Sequence, residues 1–297
     1  MPRPVHAFWW SPRRDPRVFA HEVRDHGDAW VRLGLARGRA LTNHGDELSA
    51  LVLREVLGRP VRWAPLGRED VVAIGSAMVP YLSRNGRGMI WGTGLHTPDV
   101  DVEAASTFRD RVLAIRGPLA RSALGLDAST PMGDPGLIAR ILRPGRPQDR
   151  RSGTVLITHF TSHARRTDRS AISALRSTGV RVLPPTLTPD EMLREIGAAE
   201  HVLSAGMHGV ILSHALRTPA TLVSLGAAAA GSPSFKYHDY HRSVGLEARL
   251  TRWSSLMTPA GLRAAREVGN EDVHRADGAI DALVTGLLAA AAPLRSV

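Results

Sequence analysis

The stretch EHVLSAGMHGVILSHALRTPATLVSLG (200–226) decides the fold, because it contains a complete strand–helix–strand unit. The apolar run at 200–206 predicts a short buried strand that ends at a glycine. The residues at 208–218 predict a helix, and those at 219–226 predict a second strand. Two strands separated by a helix of this length are typical of a parallel sheet.

The same alternation continues towards the N-terminus. Further strands are predicted at 5–10, 70–78, 88–95, 111–116, 154–160 and 180–185, and further helices at 43–58, from Pro118 onward, at 168–179 and at 188–199. The arginine-rich segment 11–40 has no clear pattern, and Pro, Gly and Arg crowd 140–153, the best linker candidate. We therefore predict an α/β fold with two Rossmann-like domains that face a cleft, at 1–145 and 151–297, the last helices packing back on the first domain.

Composition restricts the class of protein. The chain has 297 residues, 43% of them hydrophobic, and a net charge of +10. It has no cysteine, which excludes disulfides and thiolate metal sites, and no apolar run approaches the ~18 residues of a membrane span. Together with an N-terminus that lacks a signal-peptide pattern, these features predict a cytoplasmic protein.

The positive charge raises the question of a nucleic-acid partner. The arginines are scattered, aromatic residues make up only 5% of the chain, and no nucleic-acid-binding motif appears. We therefore predict no nucleic-acid partner. Anionic small molecules, or peripheral contact with the anionic inner face of a membrane, would account for the charge equally well.

Parallel sheets bind ligands beyond the carboxyl ends of their strands, so the residues there are the candidates for chemistry. His208 follows the strand at 200–206 and begins a helix, where it serves either as an acid–base group beside an anion or as a cap. Arg116 follows the strand at 111–116 and is an anion-binding candidate. His159 and His163 follow the strand at 154–158, but they lack a third ligand nearby, so no metal site is predicted.

A loop before the first predicted helix carries Asn43, Gly45 and Asp46. These residues are either a helix N-cap or a loop at the cleft, whose glycine admits a substrate and whose carboxylate binds sugar hydroxyls. The chain has neither a GxGxxG motif nor a P-loop, so no nucleotide cofactor is predicted.

A single lysine, Lys236, stands among 38 basic residues, in the stretch SFKYHDYHRS (234–243). An ammonium is a compact point charge, whereas a guanidinium is a planar fork, so this position is either a surface lysine or one where only the ammonium fits.

The ordered motifs NHGDELSALVL, VVAIGSAM, GMIWGTGL, IRGPLAR, HVLSAGMHGVILSHALRTPATLV and FKYHDYHRSVGL, within residues 40–250, resemble the polysaccharide pyruvyl transferase family, and most closely its succinoglycan-type exopolysaccharide branch. The resemblance implies two domains arranged as in GT-B glycosyltransferases, with the acceptor on the first and the donor on the second. It also implies phosphoenolpyruvate as co-substrate, no cofactor, and a pyruvate ketal formed on a sugar of a polysaccharide or a lipid-linked precursor.

The resemblance also implies roles for individual residues. His208 matches the family's catalytic histidine, and Arg116 and Lys236 match basic residues that bind the donor. Asp239 would orient a neighbour or the acceptor. Many members have an arginine where this chain has Gly206, so another residue, His159 or Arg217, is expected to replace it.

Two other functions fit the same sequence. A GT-B glycosyltransferase would share the architecture and the anion site, but would bind a nucleotide sugar rather than phosphoenolpyruvate. A non-catalytic glycan-binding member of the fold would bind saccharide without turnover, as the missing arginine suggests.

Overall fold

The computed structural model describes residues 3–101, 103, 106–143, 150–226 and 234–296. They form two five-stranded parallel sheets. The first sheet has the order β2-β1-β3-β4-β5. Its strands are β1 (Val5–Phe8), β2 (Val61–Trp63), β3 (Val71–Val72), β4 (Met89–Trp91) and β5 (Val112–Ala114).

The second sheet has the order β10-β9-β8-β6-β7. Its strands are β6 (Thr154–Ile157), β7 (Arg181–Leu183), β8 (His201–Ser204), β9 (Ala220–Ser224) and β10 (Thr251–Arg252). The parallel α/β class predicted from the alternation is confirmed, and the unit at 200–226 forms β8, a helix and β9. The division into two domains stays a prediction.

Ten α-helices lie within the described ranges. They are α1 (Pro16–Leu33), α2 (His44–Leu57), α3 (Met78–Ser83), α4 (Pro118–Ala123), α5 (Ala139–Leu142), α6 (Arg166–Ser177), α7 (Pro189–Ala198), α8 (Met207–Ala215), α9 (Phe235–Ser243) and α10 (Pro259–Ala290). None of them is long and apolar enough to cross a bilayer.

Local sequence explains where the predicted helices begin and end. The Asn43 side chain accepts a hydrogen bond from the Gly45 N–H at the start of α2, and Gly58 closes that helix in the left-handed region (φ 63°). Thr188 and Glu191 form a reciprocal capping box at the start of α7.

The arginine-rich segment 11–40 contains α1, which the sequence did not reveal. Asp15 caps it, Pro16 occupies its first turn, and Trp30 and Leu33 are buried. Trp30 also donates to the buried Glu22 carboxylate (3.1 Å), which stabilises the buried face of this helix.

The described parts of the linker candidate 140–153 are 140–143 and 150–153, and each of them contains one buried arginine. Arg140 is buried in α5 and donates to the carbonyls of His214 and Ala215. Arg151 is also buried and donates to the Leu216 carbonyl (2.9 Å). These two arginines therefore fix the described ends of the segment to the C-terminal end of α8, because buried guanidinium groups require such partners.

The long C-terminal helix α10 reaches the first sheet. The indole of Trp91, at the end of β4, donates to the Leu287 carbonyl (3.0 Å). Gly133 lies so close to Leu287 that a Cβ there would be 2.9 Å from its Cδ1. One apolar core contains buried residues of both sheets and of this helix.

Candidate active site

A cavity of about 340 Å³ opens at the carboxyl ends of strands from both sheets. Its wall includes residues that follow β1, β3, β4, β6 and β8, together with the first turns of α2, α8 and α9. Ligand pockets of parallel sheets occupy this position, and pockets for small ligands start at about 300 Å³. Of the predicted site residues, the cavity is lined by Asn43, Asp46, His159, His208 and Lys236.

His208 lies in the first turn of α8, and its imidazole ring packs directly against Gly45. A Cβ on Gly45 would overlap the His208 imidazole, so the first turn of α2 and that of α8 approach one another only because residue 45 has no side chain. The sequence left two alternatives for this loop, a helix N-cap or a cleft loop whose glycine admits a substrate. In the structure Asn43 caps α2, and the group against Gly45 is the histidine ring.

The imidazole of His208 is neutral near pH 7. Burial, and then the neighbouring His44, lower its pKa well below the usual value. Its Nε2 is buried and has no hydrogen-bond partner in the described part of the chain. A neutral imidazole with an unpaired nitrogen is ready to exchange a proton with a ligand.

The N-terminus of α8 is not capped by a side chain. Gly206 occupies the N-cap position in extended conformation (φ −127°, ψ 153°), and the first turn contains no acidic residue. The N–H groups of this turn therefore present a partial positive charge at the cavity wall, which suits an anion.

Two cationic side chains line the cavity within the described residues. Arg84 is paired with Asp15 (3.0 Å). Lys236, in the first turn of α9, has no carboxylate within ion-pair distance among those residues, and its Nζ lies 5.2 Å from the centroid of the Tyr237 ring. Burial, and then the charge of Arg116, lower the pKa of this ammonium. Lys236 therefore has charge to offer a bound anion.

Asp46 contributes a carboxyl group with an altered pKa. Burial raises its pKa to about 7, an effect that the charge of Lys236 opposes. Asn43 donates to its Oδ2 (2.8 Å) and so fixes the orientation of the group. Asp46 is therefore present in both protonation states near neutral pH.

Arg116 does not reach the cavity, in contrast to its predicted role as a donor clamp. Its guanidinium is fully buried and donates to Asp239 (3.2 Å), to Ser76 Oγ (2.9 Å) and to the Leu95 carbonyl (2.6 Å). Asp239 also accepts from the Ala120 N–H (2.9 Å). With its donors occupied by protein groups, Arg116 positions α9, which carries Lys236.

Arg217 does not reach the cavity either. It lies on the surface, where it pairs with Asp277 (2.8 Å), so the geometry gives no support to Arg217 as a substitute for the family arginine. His159 does lie beside the position in question, because a Cβ on Gly206 would be 3.8 Å from its Cδ2. His163 is turned to Thr158, with 2.9 Å between Nε2 and Oγ1.

Several cavity residues were missed by the sequence analysis. His96 follows β4, and the rule of strand ends would have found it. His44 also lines the cavity, and its Nδ1 lies 3.3 Å from the Pro185 carbonyl. No sequence pattern indicated this residue, because its place in the site is visible only in the folded structure. Trp10 and Phe160 stack with 5.6 Å between ring centroids and form an aromatic wall.

Comparisons with known proteins extend these observations. A family model described as polysaccharide pyruvyl transferase matches residues 133–226, which include His159, Gly206 and His208. The succinoglycan biosynthesis protein ExoV of Rhizobium meliloti (strain 1021) is 27% identical over 146 residues. That alignment covers 48% of this chain and 43% of the relative's own length.

The matched segment runs from just before α5 to the end of β9, and it carries the uncapped helix with its histidine. The resemblance found in the sequence motifs is confirmed by both comparisons. Residues 133–226, with the uncapped helix and its histidine, are thus similar to the polysaccharide pyruvyl transferase family.

Proposed function

We propose that this protein transfers the pyruvyl group of phosphoenolpyruvate to a sugar of a bacterial polysaccharide or its precursor, as a cyclic ketal. One observation carries the proposal: an unpaired ammonium, Lys236, shares a cavity with the uncapped helix N-terminus that bears the neutral His208. This combination suits a small, multiply charged anion.

In our proposal, the negative charges of phosphoenolpyruvate determine how it binds in the cavity. Its phosphate and carboxylate groups would be held by the first-turn N–H groups of α8 and by Lys236, since charge-assisted hydrogen bonds are the strongest ones available here. Binding of the anion would also raise the pKa of His208 towards neutrality, because a nearby negative charge favours the imidazolium. The donor thus brings the histidine into the range in which it exchanges protons.

The reaction requires proton transfers at two kinds of atom. The methylene carbon of phosphoenolpyruvate gains a proton, and the central carbon is then attacked by one sugar hydroxyl. Phosphate leaves with its bridging oxygen, and a second hydroxyl closes the ketal. Of the two protons released by the hydroxyls, one balances the new methyl group and the other leaves with phosphate.

His208 and Asp46 are the groups in the cavity that suit these transfers. In our proposal His208 exchanges the proton with the methylene carbon, and Asp46, with its pKa near 7, binds the sugar hydroxyls and accepts their proton. Trp10 and Phe160 would provide the apolar wall for the sugar ring.

The test is ligand binding, measured by thermal shift and calorimetry. A ligand at ~100 times its dissociation constant adds about 2.7 kcal/mol to the free energy of unfolding. We expect phosphoenolpyruvate to stabilise the wild type, and Lys236→Met to weaken that binding roughly tenfold or more. The control is Arg263→Met, which removes an exposed charge from α10.

The outcomes separate the functions. Release of phosphate from phosphoenolpyruvate that depends on a saccharide acceptor, and that is lost in His208→Ala, would support pyruvyl transfer. Stabilisation by a nucleotide sugar alone would replace the proposal with a glycosyltransferase. Binding of saccharide without any donor would indicate a non-catalytic glycan-binding protein.

A further inference from the structure

A second, wider groove lies beside the candidate active site and takes no part in the chemistry proposed above. Its volume is about 670 Å³, and it shares Arg14 and Arg39 with a smaller depression of about 210 Å³. Residues at the end of β1, along α2 and β2, and at the start of α7 form its walls.

The groove is rich in arginine. Arg14, Arg39, Arg54 and Arg62 line it, and Arg13 lines the adjoining depression. Arg54 is paired with the neighbouring Glu55. None of the other four guanidinium groups has a carboxylate partner within the described ranges.

The acidic side chains in the groove do not neutralise these four cations. Asp190 is paired with Arg143, outside the groove (2.9 Å). Glu47 accepts a hydrogen bond from the Ser11 hydroxyl (3.2 Å). The groove therefore carries surplus positive charge that is concentrated in a concave surface, where it acts most strongly on an anionic ligand.

The arginine-bearing loop is anchored rather than free. The Arg39 N–H donates to the Thr186 carbonyl (2.8 Å), and the Thr186 hydroxyl donates to the Arg37 carbonyl (2.6 Å). Gly38 adopts a positive φ of 99°, and a Cβ there would overlap Thr186. Because its backbone is already fixed, the site loses less conformational entropy when it binds a ligand.

Consecutive residues of two segments line the groove and the cavity. Trp10 lines the cavity while Trp9 lines the groove, and Pro185 lines the cavity while Thr186 lines the groove. The walls of the two surfaces are therefore built on the same two segments of the chain.

We propose that this arginine groove binds an anionic saccharide chain whose sugar rings carry carboxylates. Guanidinium forks match carboxylates in a bidentate manner, and the half-buried Trp63 offers an aromatic face beside them. The choice of a saccharide over other anionic polymers rests on the proposed function. The existence of an anion site rests on the arginines alone.

The experiment uses an oligogalacturonate as the probe and measures binding to the full chain by calorimetry. We expect the wild type to bind it, and Arg39→Ala/Arg62→Ala to bind roughly tenfold more weakly or worse. The matched control, Arg263→Ala/Arg275→Ala, removes the same charge from exposed positions on α10 and should change the affinity little. Asp190→Asn, which removes a negative charge from the groove, should bind more tightly.

Three results would overturn the proposal. Equal weakening in both double variants would mean that the probe responds only to net charge. Equal binding of a neutral maltooligosaccharide would mean that the carboxylates are not recognised. Binding of anionic phospholipid vesicles or of an RNA oligonucleotide, but not of oligogalacturonate, would assign the groove to that partner instead. Phosphoenolpyruvate binding, measured in parallel, should be unaffected by Arg39→Ala/Arg62→Ala, so failure here is separate from failure of pyruvyl transfer.

Discussion

Arg116 and Asp239, which are 123 residues apart in the sequence, form a fully buried ion pair with 3.2 Å between Nε and Oδ2. The pair connects the end of β5 in the first sheet to α9, which carries Lys236 into the cavity. The position of the unpaired ammonium therefore depends on a salt bridge that is itself shielded from solvent.

We expect Asp239→Asn to destabilise the protein by about 3–5 kcal/mol, because it leaves the buried Arg116 charge without its counterion. Chemical denaturation would measure the loss in the free energy of unfolding. Donor affinity should fall as well, since α9 loses its attachment to β5.

An exposed ion pair provides the comparison. Glu55→Gln breaks the surface pair with Arg54, in which both side chains are about half exposed, and should change stability by at most about 0.5 kcal/mol. If Asp239→Asn cost no more than this control, the buried pair would not be what holds α9 in place.

Gly45→Ala should damage the site more than its small size suggests. The added methyl group would overlap the His208 ring, so either the ring or the first turn of α8 must move. Overpacking of this kind costs about 1–3 kcal/mol, and we expect catalytic turnover to fall further than stability because the histidine is displaced.

The control for this variant is Gly278→Ala. Gly278 lies within α10, and nothing lies within 4 Å of a Cβ built there. In a helix interior, alanine is more favourable than glycine by up to about 1 kcal/mol, so Gly278→Ala should be at least as stable as the wild type. Unchanged turnover in Gly45→Ala would show that His208 does not need its present position.

The sequence predicted eight of the ten strands and five of the ten helices in the described ranges, because the signals of these elements are local. Apolar runs, the Asn43 cap and the Thr188 capping box act within a few residues of one another. Helix α1 was missed because its buried face is interrupted by polar residues, including Glu22, which becomes compatible with burial only through its bond to Trp30.

Part of the site was predictable because some of its residues are also marked by local sequence signals. His208 follows from the rule of strand ends and from the family motifs, Asp46 was a candidate from the loop before the first predicted helix, and both line the cavity. Arg116 pairs with Asp239 and Arg217 pairs with Asp277, and both ion pairs join residues that are far apart in the sequence. Spacing along the chain contains no information about such pairs, so the sequence could not reveal either contact.

Buried histidines should make the fold sensitive to acid. Burial lowers the pKa of His44 and His201 to about 4, and that of His159 and His214 to about 3, from 6.5. As the pH falls below 6.5, the unfolded chain binds protons at these rings before the folded chain does, so the contribution of these rings to stability falls. We expect the Tm to drop by several degrees between pH ~6.5 and pH ~4.5.

Asp46 should act in the opposite direction. Its pKa is about 7 in the folded protein and 3.8 in the reference state, so the stability that this carboxyl contributes in its protonated form is lost as the pH rises from about 4 to about 7. Asp46→Asn should therefore raise the Tm relative to the wild type more at pH ~8 than at pH ~5. A difference that does not change with pH would show that the carboxyl titrates normally.

The final prediction concerns Gly206, at the position where the resemblance to the polysaccharide pyruvyl transferase family predicts an arginine. Its backbone is extended, and the nearest atom to a Cβ there is His159 Cδ2 at 3.8 Å, so a side chain fits without strain. Gly206→Arg should bring a guanidinium to the N-terminus of α8 and tighten phosphoenolpyruvate binding by roughly tenfold. Stability should change by less than about 1 kcal/mol, because glycine is not the strongest N-cap residue.

Gly206→Ala separates the two effects of this change, since it removes the glycine without adding charge. If calorimetry shows tighter binding in the arginine variant and not in the alanine variant, the donor anion lies at the start of α8. His159→Ala should then weaken donor binding more in the wild-type background than in the Gly206→Arg background. In the latter, the new guanidinium would bind the donor in place of the imidazole. Equal affinities in all three proteins would place the donor elsewhere in the cavity, nearer to Lys236.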